Sequence, residues 1–472
     1  MGATFRNYEP DQSFLFPQSP REWLPADHLA FFVMDVVASL DLKPILRHYD
    51  VKPVLDEQGQ SAGERVTSGR GQPAYDPRMM TALLVYAYAT GTPSSRQIEK
   101  KCLEDVAFRV VSANQKPDHS TMAEFRKVHL KALAGLFLQV LKLCQKTGLV
   151  KLGHVALDGT KVKANASKHK AMSYGRMVKR EEELQQEIAE LLKQAEETDH
   201  AEDGTHGKGK RGDELPEELA RRESRLAKIQ EAKAALEAEA QAEAERIRRE
   251  HEEQQKRRKD HDEPPKPGRP PNPSEVPADK AQRNFTDPES RIMKNSDKAF
   301  IQGYNAQAAV DHERQVIVAI EVTQQAADAP HLNLMVEQVR VNTGETPRQL
   351  SADAGYFSEE NVKGLEAKNI DPYIAAERLK HGQPPPEPQG PLSEDATRKD
   401  RMIRKLRTAT ARAIYALRKV TVEPVFGQIR TRGLVRFWLR GLQNVKAEWA
   451  LWCTGHNLLK LFRNGRFAMN TS

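Results

Sequence analysis

The stretch HVALDGTKVKANAS, residues 154–167, alternates apolar and polar positions as a half-buried strand does. Val155 and Leu157 share one face, and Asp158 followed by Gly159 reads as the strand's end in a turn. The same texture returns far downstream. GYNAQAAVD (303–311) and QVIVAIEVT (315–323) are separated by His312, Glu313 and Arg314, a length that suits a hairpin. A helical pattern over His331–Val341 leads into RQLSADAGY (348–356), a second strand that ends in an acid, Asp353. Asp371–Ala376 reads as one more short strand, and from Arg401 the chain reads helical through Tyr415, past a kink at Pro424, to Ile429. Strand, paired strands, helix, strand, strand, helix is the order of a mixed α/β sheet with flanking helices, assigned to residues 151–472.

A long insert divides that order. Residues 175–260 are dominated by Glu, Lys, Arg, Ala and Gln. Met177, Leu184, Ile188, Leu191 and Ala195 form one apolar seam, and Leu226, Ile229, Leu236, Ala240 and Ile247 continue a second from Leu215 and Leu219. The pattern predicts an antiparallel helical hairpin, or a coiled coil with another subunit, with a flexible polar tip at ETDHAEDGTHGKGKRGDE (197–214). A disordered charged insert is the bland alternative. DEPPKPGRPPNPSEVPAD (262–279) is a Pro-rich linker, and HGQPPPEPQGPL (381–392) is a second linker or loop.

Residues 1–150 read as an all-α N-terminal domain. Asp27 caps a helix through Phe31, Val36 and Leu40, and Pro77 opens an apolar helix that Gly91 stops. Ser94 or Ser95 caps the next, and Pro117–Ser120 is a turn before a long amphipathic segment ending at Gly148. Short helices joined by tight turns suit a helix-turn-helix DNA reader, and equally an ordinary bundle.

The charge is unevenly spread. Of 73 Lys and Arg against 66 acids, residues 401–472 hold 15 of the basic residues and only Glu423 and Glu448 as acids. A basic block interleaved with Tyr415, Phe426, Phe437, Trp438 and Trp449 points to a folded surface facing a polyanion. No apolar run reaches the ~20 residues of a membrane helix. The start MGATFRNYEPDQSF lacks the order of a secretion signal, and Arg6 argues against myristoylation. Cys102, Cys144 and Cys453 lie far apart without C-x-x-C spacing, so a disulfide scaffold or structural zinc site is not expected and a cytoplasmic location is.

Three acids then carry the candidate chemistry. Asp158 and Asp353 each follow an apolar strand, where an open α/β sheet forms its crevice, and Glu423 stands in the strongly basic helical stretch. Three carboxylates can hold two hard cations such as Mg²⁺, and ions ~4 Å apart can activate an attacking oxygen and stabilise a leaving one.

Several blocks together resemble the DDE transposases of bacterial insertion sequences, closest to the eleven-eighty-two group of the five/four-like superfamily. They are PDHSTMAEFRKVH (117–129), HVALDGTKVKANAS, TDPESRIMK (286–294), GYNAQAAVD, SADAGYFSEEN (351–361), VEPVFGQIRTRGL (422–434), FWLRG (437–441) and EWALWCTGHNLLKL (448–461). The resemblance implies an RNase H-like core with Asp158, Asp353 and Glu423 as a catalytic, metal-binding triad for two Mg²⁺ or Mn²⁺ ions. It also implies that water cuts the element's ends, and that the released 3′-hydroxyls attack target DNA without a covalent protein intermediate.

Relatives carry Tyr-x2-Arg-x3-Glu-x6-Lys around the last acid. Here Tyr415 and Arg418 keep the first interval, four residues separate Arg418 from Glu423, Lys419 has the three-residue interval, and Arg430 stands in place of the Lys. Arg418 or Lys419 is thus the candidate phosphate contact. Lys161 and Lys163 either steer the DNA backbone or are plain surface lysines. The implied partners are terminal-inverted-repeat DNA, target DNA and a second copy of the chain, with no membrane. An RNase H-like nuclease that cuts without joining, and a non-enzymatic DNA-binding coiled-coil protein, are the alternatives.

Overall fold

The computed structural model describes residues 19–49, 52–55, 61–65, 74–206, 215–260, 264, 270–295, 297–377, 390, 392–393 and 395–464. The central sheet contains β1 (His154–Lys163), β2 (Arg291–Lys294), β3 (Phe300–Asp311), β4 (Ile317–Thr323), β5 (Gln349–Ala352) and β6 (Asp371–Ile374). Its order is β6-β5-β1-β3-β2, with β4 also paired to β3. β1, β5 and β6 run parallel, whereas β3 is antiparallel to β1, β2 and β4. This is the mixed sheet that the alternating segments predict, with two departures, of which one is the added strand β2 that the alternation did not mark. Asp158-Gly159 is no turn: β1 continues to Lys163 because Gly159, Thr160 and Lys161 stay in the ladder opposite Gln307, Ala306 and Asn305.

The helices α1 (Leu29–Ser39), α2 (Pro77–Thr90), α3 (Ser95–Glu104), α4 (Val106–Val111), α5 (His119–Val128) and α6 (Leu130–Lys146) precede the sheet. The region is not all-α as expected, because Lys52–Leu55 and Ser61–Arg65 pair as an antiparallel ribbon between α1 and α2. Their ends follow local chemistry. Asp76 accepts from the Arg78 N–H, Pro77 occupies the first turn, and Gly91 closes α2 at φ +82°. Asp118 accepts from the Thr121 hydroxyl and from the N–H groups of Thr121 and Ser120, which hold its carboxyl down at about 2. His28, not Asp27, caps α1.

α5 and α6 meet at a 73° bend. The core runs without interruption from α1 and α2 through α6 and the sheet into the last helix, so these helices pack as a bundle on the sheet. Tyr88 of α2 meets Trp452 edge-on at 5.3 Å between ring centres. Among the described residues no single helix is long and apolar enough to cross a membrane.

The insert is a hairpin of α7 (Tyr174–His206) and α8 (Leu215–Asp260). Lys233 bonds Glu181 at 2.8 Å and Arg222 bonds Glu187 at 3.0 Å, a pairing that fixes the antiparallel sense. Met177, Leu184, Ile229 and Leu236 fill its root beside Phe285. Its neck is the two-stranded ribbon Ala171–Ser173 with Gln282–Asn284, and Glu239 ties α8 to Arg283 and Arg291 at 2.6 and 2.9 Å. The expected tip is shorter than its sequence suggests. α7 runs on through His206, since one Gly costs a helix only ~1 kcal/mol, and residues 207–214 lie outside the described residues. Of the Pro-rich stretch 262–279, residues 264 and 270–279 are described and form neither helix nor strand. Only Gly390 and Leu392 of the second Pro-rich loop are described.

After α9 (Leu332–Thr343) and α10 (Glu359–Glu366), the C-terminal segment forms α11 (Arg398–Arg407), α12 (Ala409–Thr431) and α13 (Leu442–Arg463). A continuous helix from Arg401 was expected. Instead Thr408 is extended (ψ 148°), and its hydroxyl accepts from the Ala411 N–H to start α12 afresh. Pro424 lies inside α12, where it cannot donate to the Val420 carbonyl. Gln315 Nε2 takes up that carbonyl at 2.9 Å, so α12 continues past the proline.

Candidate active site

The ladder between β1 and β5 pairs Val155 with Leu350, Ala156 with Ser351 and Leu157 with Ala352. The next residue along each is an acid, so Asp158, inside β1, and Asp353, just past the end of β5, stand side by side, ~4.8 Å apart in the ladder direction. Asp353 Oδ1 accepts from the Gly355 N–H at 2.9 Å, and Asp158 Oδ1 from its neighbour Gly159 at 2.8 Å. Burial, and then the charge of Asp353, push the Asp158 carboxyl up to about 7, while Arg418 opposes the shift.

α12 brings the third acid. Arg418 Nη1 donates to Asp158 Oδ2 at 3.1 Å, and its Nη2 lies 3.1 Å from Glu423 Oε1. The guanidinium thus bridges two of the three carboxylates, with its side chain 13% exposed against 47% for Glu423. Burial works against its charge, but Asp158, Tyr415, Glu423 and Asp353 together hold its pKa above the usual value. The Tyr415 ring lies 5.9 Å from the guanidinium carbon, and burial raises the tyrosine's own pKa.

Arg430 donates to the Thr160 hydroxyl, two residues beyond Asp158. Lys419 and Lys163 are exposed on the surface. Lys161 has a different partner: its ammonium is paired with Asp328 at 2.9 Å, and its side chain is 14% exposed. The structure therefore brings Asp158, Asp353, Glu423, Arg418, Tyr415 and Arg430 to one place. It ties Lys161 to Asp328 instead and leaves Lys419 and Lys163 at the surface.

The donor set suits a hard divalent cation. All three acids offer carboxylate oxygens, and burial together with the neighbouring Asp353 charge raises the Asp158 pKa, a charge load that a cation relieves. Among the described residues, however, no three His, Cys, Asp or Glu side chains converge on one point. Arg418 supplies the counter-charge between Asp158 and Glu423.

The loop after α12 flanks this site. The Phe437 N–H donates to the Lys163 carbonyl at 2.8 Å, extending the edge of β1. Glu448 of α13, counted by sequence only as an acid in a basic block, is fully buried and anchors the loop. Its carboxylate accepts from the Trp438 and Leu439 N–H groups at 2.8–3.1 Å. Burial pushes it up to about 7, against those bonds.

A carboxyl whose folded pKa is raised contributes stability below its unfolded pKa and loses it as pH rises through the folded value. Native stability should therefore fall from about pH 4.5 to pH 7, with Glu448 contributing roughly 3 kcal/mol at most and Asp158 adding to the slope. Denaturant melts across that range should show Glu448→Gln flattening the decline. An unchanged slope would refute the assignment.

Sequence reasoning missed Asp328, together with Asn305, Gln307 and Tyr356 that surround it. The available signal was polar residues at alternate positions in GYNAQAAVD, a strand with both faces covered.

Asp158 inside β1 and Asp353 just past β5 lie on adjacent parallel strands, and a C-terminal helix brings Glu423, an arrangement that suits the class of enzymes that act on phosphodiesters. Comparison with known families narrows that class. A model described as "Transposase DDE domain" matches residues 271–458, and one described as "Transposase domain (DUF772)" matches residues 21–128. The two matches together take in well over half of the chain, which belongs to the DDE transposases, enzymes that cut DNA and transfer its strands. The sheet is accordingly an RNase H-like core. The first match begins after the hairpin, so β1 and Asp158 lie outside it and join the domain through the ladders with β3 and β5. No curated relative and no solved structure matches the chain.

Proposed function

We propose that Asp158, Asp353 and Glu423 are the catalytic triad of this transposase and hold its divalent cations, two Mg²⁺ or Mn²⁺ ions. The observation that carries this reading is the register of β1 and β5, which sets two acids side by side, with Arg418 linking the first to Glu423. Family membership implies divalent-metal dependence and binding of transposon-end DNA. When bound, the ions would activate the attacking oxygen and stabilise the leaving oxygen of a phosphodiester.

The chain's own residues supply the rest. Arg418 keeps Asp158 and Glu423 paired until a DNA phosphate competes for its guanidinium, whose planar fork suits a phosphate. Tyr415 backs that guanidinium, and Arg430 adds a second fork on the Asp158 face. Lys419 and Lys163, exposed at the surface, contact the backbone without regard to sequence. In the first reaction the oxygen of water bonds to phosphorus and the bond to the 3′-oxygen breaks, leaving a 3′-hydroxyl and a 5′-phosphate. In the second, that 3′-hydroxyl bonds to a target phosphorus and displaces the target's 3′-oxygen.

Two ends must be held together, so the working form is a homodimer, acting on DNA in the cytoplasm. The helical N-terminal region (1–150) and the hairpin (175–260) supply end recognition or pairing. The test uses the DNA that flanks this reading frame, where inverted repeats are expected, with Mg²⁺ and a supercoiled target. Joined products are expected. Cutting without joining would replace this reading with a nuclease, and salt-sensitive binding without cutting would replace it with a DNA-binding protein.

A further inference from the structure

Asp328 lies in the loop between β4 and α9, outside the three acids, and is the hub of a polar network. Its Oδ1 accepts from Lys161 at 2.9 Å, Asn305 at 2.7 Å and Gln307 at 2.8 Å, and its Oδ2 accepts from Lys161 at 3.2 Å. Gln307 turns its other amide atom to Tyr356, whose hydroxyl donates to Oε1. Asn361 then closes the loop onto the same turn, donating to the carbonyls of Ala329 and Tyr356 at 2.8 Å each.

The ends of this chain of bonds match one another. Lys161 stands three residues after Asp158, and Tyr356 stands three residues after Asp353. Lys161–Asp328–Gln307–Tyr356 therefore spans from just beyond the first acid to just beyond the second, beneath the pair. The glycines that follow the acids make room for it. A Cβ on Gly159 would stand 2.4 Å from Gln307 Nε2 and 2.9 Å from both Asn305 Oδ1 and Asp328 Oδ1. A Cβ on Gly355 would stand 3.1 Å from Asp353 Oδ1 and 3.3 Å from Asp328 Oδ2. The D-G and D-A-G sequences of the two acids are thus explained by one neighbour, and Gly159 sits in a strand rather than a turn.

The Lys161–Asp328 pair is almost buried, with side chains 14% and 18% exposed. A buried ion pair is weak evidence of stabilisation, because desolvation offsets its attraction. What it fixes is geometry: one carboxylate oxygen orients three donors drawn from two strands.

We propose that Asp328 is a positioning residue that sets the spacing of Asp158 and Asp353, acting through Lys161 on the first and through Gln307 and Tyr356 on the second. This rests on those acids being metal ligands, as proposed above. Asp328→Asn keeps the shape and removes the charge, but strands the Lys161 ammonium. The double variant Lys161→Met/Asp328→Asn removes that stranded charge as well.

The readout is Mn²⁺ affinity of the full chain without DNA, from the electron paramagnetic resonance signal of free Mn²⁺, with a thermal melt of each protein. Asp328→Asn is expected to bind Mn²⁺ about tenfold more weakly. The double variant should regain the wild-type melt while keeping the weakened affinity. A double variant with wild-type affinity overturns the proposal and reduces the pair to a fold anchor. Asp158→Ala serves as the control: if it binds Mn²⁺ as the wild type does, the triad assignment fails, whatever Asp328 does.

Discussion

Asp158→Ala protein is expected to bind element-end DNA nearly as the wild type does and to cut it at least about a thousandfold more slowly. A thousandfold is about 4 kcal/mol of transition-state stabilisation, a modest loss for a carboxylate that helps hold charge at the reacting phosphate. The same loss is expected for Asp353→Ala, its ladder neighbour. Glu423→Ala should lose as much, although its side chain is 47% exposed, because it faces the same guanidinium as Asp158.

Arg418→Ala separates two roles. It removes the counter-ion that opposes the raised pKa of Asp158, so the metal-free protein should be less stable at pH 8 than the wild type. It also removes a phosphate ligand, so the salt dependence of DNA binding should become shallower. Single-turnover cleavage with Mg²⁺, beside a gel-shift titration, measures these effects. Unchanged cutting by any of the three acid variants would remove that acid from the triad.

How far the sequence predicts this site depends on which contacts are local. β1, β3, β4 and β5 follow from alternation, and Asp158 and Asp353 follow from their places after apolar runs, because strand patterning is a property of adjacent residues. Their register is not local: only the parallel ladder of β1 and β5 places Asp158 beside Asp353. Asp328 is harder still. It sits in an irregular loop, and its meaning comes from Lys161, Asn305 and Gln307, which are 21 to 167 residues away.

The choice between Arg418 and Lys419 also needed tertiary packing. Spacing left both open, whereas α12 turns Arg418 to Asp158 and Lys419 outward. The basic C-terminal block is a similar case. Its charge suggested a uniform polyanion surface, yet Glu448 is core and Arg432 is half-buried, with burial pulling the latter's pKa down to about 10. Residue type gave the charge, and packing decides which part of it DNA meets.

The largest stability loss from a one-carbon change is expected at Gly91, where the N-terminal helices meet the helix that carries Glu423. Gly91 ends α2 at φ +82°, and a Cβ there would stand 1.8 Å from the Arg432 carbonyl oxygen and 2.9 Å from its carbonyl carbon. Both atoms are backbone, so no side-chain rotation relieves the clash. The left-handed conformation alone costs an alanine ~1–2 kcal/mol. Overpacking typically adds ~1–3 kcal/mol, and more where rigid elements must part.

Here they are rigid. Arg432 is the C-cap of α12, and a Cβ on Gly433 beside it, at φ +120°, would stand 3.3 Å from the Gly91 carbonyl oxygen. Gly91→Ala should therefore destabilise the protein by roughly 3–5 kcal/mol, lowering Tm by ~5–10 °C. Gly427→Ala is the matched control: it lies on an exposed turn of α12 with no atom near the new methyl, and alanine is the better helix former, so Tm should hold or rise.

The consequence reaches the chemistry because α12 is one helix from Arg418 to Arg430. Pushing its C-terminal end off α2 shifts the guanidinium that joins Asp158 to Glu423, and a misplacement of ~1 Å costs about a hundredfold in rate. At a temperature where the variant is still fully folded, Gly91→Ala should cut element-end DNA more slowly than Gly427→Ala does. Equal rates would mean that α12 is held in place by the sheet alone.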